Sequence, residues 1–189
     1  MKDHAKTKGM WAGALVPVAT ADLLGLYTDP PALRELARPQ TPALLKSIDE
    51  IIVNAVDQAA SKGSKTTYIR VGLSAAGEVS VANDGAGIPV AVHAAASAAA
   101  GRPVYVPEVA FAYFLAGTNI NKAADCVKGG TNGLGAKLAN VHSAEFRVET
   151  VDRASRLRYS QRFSGGLDVT HPPEVGAAAD WRAPYVPGT

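Results

Sequence analysis

A single cysteine, Cys126, occurs in the 189 residues, so no internal disulfide can form, and a reducing compartment fits best. A catalytic thiol at that position has no histidine near it in sequence, and lone cysteines are ordinarily inert. An excess of charge of one sign is also lacking. The 19 Lys and Arg against 17 Asp and Glu leave a formal charge of +2, which gives this chain no electrostatic grip on nucleic acid by itself. No apolar run approaches a membrane span, and the charged start Met1-Lys-Asp-His-Ala-Lys-Thr-Lys8 has no apolar signal core behind it. What remains, 47% hydrophobic and 19% charged, is an ordinary globular composition, long enough for one domain with a proper core.

The stretch Lys128-Gly-Gly-Thr-Asn-Gly-Leu-Gly-Ala-Lys-Leu-Ala-Asn140 stands out against that background. Gly129, Gly130, Gly133 and Gly135 are followed at once by a periodic segment, Ala136 to Val141. Glycines let backbone N–H groups come close to a ligand, and a helix starting behind them adds its own unsatisfied N–H groups and positive dipole end. Such a combination suits an anion, most often a phosphate. Two familiar phosphate loops do not fit. In a P-loop reading Ala136 separates Gly135 from Lys137, and Leu138 replaces the Ser or Thr that holds magnesium. A dinucleotide fingerprint beginning at Gly133 lacks its third glycine. A mobile glycine-rich turn without a ligand is the bland alternative, and the rest of the chain has to decide.

Residues 1 to 30 read as an arm, with an apolar patch Met10-Trp11-Ala-Gly-Ala-Leu-Val16 and a turn at Asp29-Pro30-Pro31. Thr41-Pro42 opens a helix in which Leu44, Leu45, Ile48, Ile51, Ile52, Ala55 and Ala59 form one apolar stripe, with Gly63 as its stop. Glu50, Asn54 and Gln58 recur every fourth residue on the other side and line one ridge. A solvated face is the ordinary reading of that ridge; the functional one is a carboxylate facing a cleft with a neutral amide one turn on. Thr66 to Leu73 and Glu78 to Asn83 alternate as a hairpin around Ala75-Ala76-Gly77. The second strand runs into Asn83-Asp84-Gly85-Ala86-Gly87-Ile88-Pro89, which is poor material for another hairpin. It reads as a strand ending at a pocket, with Asp84 pointing in and Gly85 and Gly87 leaving room for a flat ligand.

The alanine-rich 91–100 segment reads as a loop or short helix, and Pro107 to Leu115 as a helix stopped by Gly117. The polar segment from Gly117 to Asp125 is placed to act as a lid over the glycine loop. A second hairpin, Glu145 to Val151 with Arg156 to Phe163, carries Arg156, Arg158 and Arg162 on one strand face, solvated by default. From Ser164 the sequence is loop-like, and it ends at Tyr185-Val-Pro-Gly-Thr189, where another strand is expected, so the chain reads as part of something longer.

Three separated stretches together resemble one family, the GHKL ATPases, and more narrowly the ATPase region of type IIA DNA topoisomerases. They are Ile48-Asp-Glu-Ile-Ile-Val-Asn-Ala-Val-Asp57, Val79-Ser-Val-Ala-Asn-Asp-Gly-Ala-Gly-Ile-Pro89 and Gly129-Gly-Thr-Asn-Gly-Leu-Gly-Ala-Lys-Leu-Ala-Asn140. Tyr105-Val-Pro-Glu-Val-Ala-Phe111 and Glu145-Phe-Arg-Val-Glu-Thr150 also look like the eukaryotic and viral versions, and the match runs over residues 40 to 152. The resemblance implies an α/β fold, a two-layer sandwich of a mixed, mostly antiparallel sheet with helices on one face, occupying residues 31–189 behind the 1–30 arm.

The same resemblance implies ATP and Mg2+ as ligands and gives each motif a role. Glu50 falls at the general base that activates water, Asn54 at the magnesium ligand, and Gln58 where the family keeps an Asn. Asp84 falls at the acceptor for the adenine amino group, with Asn83, Gly85, Gly87 and Ile88 beside the nucleotide. Thr118 and Asn119 match ribose and phosphate contacts. Thr131, which replaces an Arg, and Asn132, Gly133, Leu134, Gly135, Ala136 and Lys137 match the loop around the phosphates. A lysine from a following transducer domain completes the γ-phosphate site in the family, so this stretch alone is expected to bind ATP better than it hydrolyses it. The implied setting is intracellular, nuclear in a eukaryote, or a host cell or virion for a virus. The resemblance also implies a homodimer when ATP is bound, with DNA held by the longer enzyme. Other GHKL ATPases of chaperone or mismatch-repair type, and a degenerate binding module without turnover, are the alternatives.

Overall fold

The computed structural model describes residues 18–26, 32–61, 63–113 and 134–180. Strand β1 (Val18–Leu26) pairs antiparallel with β2 (Ala32–Gln40), Val18 opposite Gln40 and Leu26 opposite Ala32. This hairpin lies on both sides of residue 30, and residues 18–26 of the segment read as an arm form its first strand. Its sequence hides the strand: Leu23 and Leu24 are adjacent, and Asp22 and Gly25 interrupt any alternation.

Helix α1 spans Pro42–Ala60. Thr41 is extended, its carbonyl accepts from the N–H groups of Leu44 and Leu45, and Pro42 takes the first helical position, where no N–H is needed. Ser61 ends the helix, its hydroxyl donating to the Gln58 carbonyl at 2.7 Å. The expected apolar stripe is only partly used. Leu44 and Leu45 are 56% and 51% exposed, while the buried residues are Ala43, Ser47 and Ala55. Helix α1 turns its Ala43–Ser47–Glu50 flank toward helix α4 (Gly135–Val141), and Ala43 meets Leu138 there. Small side chains on that flank let the two helices approach closely.

Strands β3 (Ile69–Leu73) and β4 (Val79–Asn83) form the expected hairpin, Ile69 opposite Asn83. Its turn is closed by Gly77 N–H donating to the Ser74 carbonyl and by Glu78 N–H donating to the Ser74 hydroxyl. Helix α1 lies against both strands. Two short helices follow, α2 (Ala94–Ala100) and α3 (Val106–Ala112).

Strand β5 (Glu145–Asp152) pairs with β6 (Leu157–Ser164), Glu145 opposite Ser164, and β6 also pairs with β7 (Val169–Thr170) and β8 (Glu174–Ala177). These last two strands fall in the stretch read as loop; at two and four residues they are too short to show a period. Every ladder among the described residues is antiparallel. The inward face of β5–β6 carries Val148 and Phe163, which pack with Ala112, Val141 and Leu167, and with Phe111, Tyr113 and Phe146 around them. A polar knot lies beside this core. The fully buried Glu108 carboxylate accepts from both guanidinium nitrogens of Arg102 and from Gln161 Nε2, whose own amide oxygen accepts from the Tyr159 hydroxyl. That knot fixes α3 to β6.

Candidate functional site

Glu50 lies on the flank of α1 that faces α4, and its side chain is 19% exposed. One oxygen, Oε1, receives the Lys46 ammonium at 2.6 Å. The rest of the carboxylate rests on the α-carbon of Gly135: a Cβ there would overlap Oε2 and Cδ of Glu50. Two of the stretches picked out in the sequence, 85 residues apart, therefore meet at one contact. Gly135 is glycine because Glu50 needs the space. Asn54 is exposed one turn further on and Gln58 half-buried beyond it, on the same ridge.

Behind Gly135, Ala136 and Lys137 enter the seven-residue helix α4, with Leu134 at its N-cap. Lys137 is only 2% exposed, and burial pulls its ammonium below the usual lysine pKa.

The segment after β4 is positioned by the sheet. Gly87 takes a φ of +77° with no room for a Cβ, because the Val151 carbonyl fills that space. Ile88 N–H donates to the Thr150 hydroxyl at 2.9 Å, and Val90 N–H to Asp152 Oδ2 at 3.2 Å. Residues 86–90 are thus docked along the end of β5. Gly85 likewise lies against the Thr66 hydroxyl, 2.7 Å from where its Cβ would be. On the side where a Cβ would stand, both glycines are packed against the protein itself.

Asp84 has partners within the protein. Its Oδ1 accepts from the N–H groups of Thr67 and Tyr68 at 2.7 and 3.1 Å, and its Oδ2 from the Thr67 hydroxyl at 2.7 Å. These bonds, the Thr67 hydroxyl first, hold the carboxyl below its ordinary pKa. Asp84 clamps the chain entering β3 onto the end of β4. Asn83, exposed beside it, donates from its amide to the Asp84 carbonyl at 2.9 Å.

With this geometry, the chain is 51% identical over 179 residues to DNA topoisomerase 2 of an African swine fever virus isolate, a match covering 92% of the chain and 15% of that protein. It is 38% identical over 145 residues to the mitochondrial DNA topoisomerase 2 of Dictyostelium discoideum, covering 76% of the chain and 11% of that protein. The ATPase region of Saccharomyces cerevisiae topoisomerase II superposes with a TM-score of 0.78 at 29% identity, over 93% of this chain and 45% of that one. The ATPase and transducer domains of the Balamuthia mandrillaris enzyme superpose with a TM-score of 0.77 at 34% identity, over 92% and 42%. The chain belongs with the ATPase regions of the type IIA DNA topoisomerases.

No protein-family model matches it. The chain spans about one seventh of the length of the viral topoisomerases it matches (15%) and under half of the solved ATPase-region chains. Of the positions this topoisomerase resemblance singles out, Thr118, Asn119, Thr131, Asn132 and Gly133 lie outside the described residues, as do Cys126, the lid segment and the Met10–Val16 patch. Glu50, Gly135, Ala136 and Lys137 are gathered where α1 meets α4; Asn83, Asp84, Gly85, Gly87 and Ile88 lie along the β4 exit. Sequence reading missed Lys46, although its spacing of four from Glu50 is the signal for a shared ridge, and it missed Thr67 and Thr150, whose partners are too distant in sequence to leave one.

Proposed function

We propose that this chain is the ATP-binding and hydrolysing gate of a type IIA DNA topoisomerase. The observation that supports this reading most is the Glu50 carboxylate seated on Gly135, a carboxylate against the start of the helix behind the glycine loop. Hydrolysis of ATP transfers its γ-phosphoryl group to water. The water oxygen forms a bond to phosphorus, its proton passes to Glu50, and the bond to the β,γ-bridging oxygen breaks as ADP leaves.

Lys137 and the backbone from Leu134 to Ala136, with Thr131, Asn132 and Gly133, cradle the phosphates; Thr118 and Asn119 meet ribose and phosphate. Among the described residues no group of three His, Cys, Asp or Glu is arranged to hold a metal. Mg2+ suits such a site, because it takes one or two protein oxygens and fills its shell with phosphate oxygens and water. Asn54, with Gln58 beyond it, would supply the amide oxygen, and the ion would neutralise phosphate charge. At the other end Asn83 shares the adenine edge with Asp84, whose oxygens are already engaged by Thr67 and Tyr68, while Gly85, Gly87 and Ile88 form the backbone beside the base.

ATP binding closes a homodimer of the longer enzyme, with exchange of the N-terminal segment, and hydrolysis resets the gate after DNA strand passage; DNA is held and cut elsewhere in that enzyme. The setting is intracellular: the nucleus in a eukaryote, a host cell or virion for a virus. No helix among the described residues is long and apolar enough to cross a membrane.

Single-turnover hydrolysis, with protein in excess over radiolabelled ATP, tests the catalytic assignment. Glu50→Gln should bind a non-hydrolysable analogue as the parent does and lose hydrolysis by about a hundredfold or more. Equal hydrolysis in both proteins would contradict the reading and favour a nucleotide-binding module without turnover.

A further inference from the structure

Lys46 has been given no role in the chemistry so far, yet among the described residues it makes the shortest polar contact to the proposed base. We propose that Lys46 is a positioning residue for Glu50, holding Oε1 so that Oε2, on the Gly135 side, is the oxygen that takes the proton from water. This rests on the hydrolytic reading above.

Three observations point to function rather than to helix stability. The pair runs in the weaker order: a helix gains more from Glu four residues before Lys than from Lys four residues before Glu. Lys46 also lies one turn in from the N-terminus of α1, where a cation gains nothing from the helix dipole. And the contact joins a half-exposed lysine to a carboxylate that is 19% exposed, so one end of the pair is fixed by packing against Gly135. A surface pair with both ends free would wander.

The terminal torsion of a glutamate is broad, so packing on one side alone leaves its carboxylate free to turn. The Lys46 ammonium at Oε1 and Gly135 beside Oε2 together fix it. Asp49, 3.2 Å from the same ammonium and exposed, is the competing partner. Both carboxylates keep Lys46 protonated, with its pKa raised first by the hydrogen bond to Glu50. Lys46 gives up no proton in this scheme; it orients the acceptor.

The test compares Lys46→Ala, Lys46→Arg, Asp49→Ala and Glu50→Gln with the parent chain. Each is measured by single-turnover ATP hydrolysis, by calorimetric binding of a non-hydrolysable ATP analogue and by thermal melting. Lys46→Ala should slow hydrolysis by about tenfold to a hundredfold, the scale of a misplaced reacting group, with analogue affinity and melting temperature unchanged. Lys46→Arg should restore most of the rate, and Asp49→Ala should leave it at the parent value.

A parental rate in Lys46→Ala beside a dead Glu50→Gln would overturn the positioning role and leave the hydrolytic reading standing. A Lys46→Ala loss that appears equally as lower melting temperature, with no rescue by Arg, would overturn it in favour of a structural role. Hydrolysis in the parent no faster than in Glu50→Gln would overturn both.

Discussion

The Glu50 carboxylate lies against the α-carbon of Gly135, in space that the Cβ of any other residue would fill. Gly135→Ala therefore has to move either the Glu50 carboxylate or the start of helix α4. Overpacking of this kind costs about 1–3 kcal/mol. Denaturant unfolding should register that loss, and hydrolysis should fall as well because the displaced group is the proposed base.

Gly87 and Gly77 offer a controlled pair, since both have positive φ, +77° and +81°. A Cβ at Gly77 meets nothing within 4 Å, whereas one at Gly87 runs into the Val151 carbonyl. Gly77→Ala should cost about 1–2 kcal/mol, the left-handed backbone term alone. Gly87→Ala should cost clearly more and loosen the docking of residues 86–90, seen as faster amide exchange at Ile88 and Val90.

Much of this architecture could be read from the sequence. Alternation gave both central hairpins to within two or three residues, and Thr41-Pro42 marked the start of α1. The ridge of Glu50, Asn54 and Gln58 was visible as a spacing, but spacing alone could not separate a solvated face from one turned to a cleft. The helical period located an apolar stripe on α1 without saying which neighbour would claim which flank; α4 took Ala43 and Ser47 and left Leu44 and Leu45 half exposed. The clamp on Asp84 was illegible because Thr67 stands 17 residues away across a hairpin. Strands β7 and β8 were shorter than any window that reveals a period.

Glu108 is the buried charge that ties α3 to β6. Glu108→Ala leaves Gln161 Nε2 with the His171 carbonyl, at 2.9 Å, as its one partner among the described residues, and strips Arg102 of its carboxylate. Arg102 is partly solvated, so the expected destabilisation is about 1–3 kcal/mol, the cost of an unmet buried polar group. The urea midpoint checks it.

Asp84 and Asp152 both have carboxyls held below the ordinary value, Asp84 chiefly by the Thr67 hydroxyl and Asp152 chiefly by the Ser155 hydroxyl. A depressed folded pKa stabilises the protein above the unfolded value near 3.8, and that stability is lost as pH falls from there through the folded pKa. Denaturant midpoints followed down from pH 6 should drop below about pH 5, where such linkage sets in. Asp84→Asn should flatten that drop, since an amide does not titrate.

The central claim, that the α1 ridge and the glycine loop before α4 form one nucleotide site, is tested most directly by calorimetric titration. The chain is titrated with a non-hydrolysable ATP analogue, with and without Mg2+, beside Asn54→Ala. The account predicts saturable binding strengthened by Mg2+ in the parent, and binding that no longer responds to Mg2+ in the variant. An absence of binding in the parent, or the same Mg2+ response in both proteins, would contradict it.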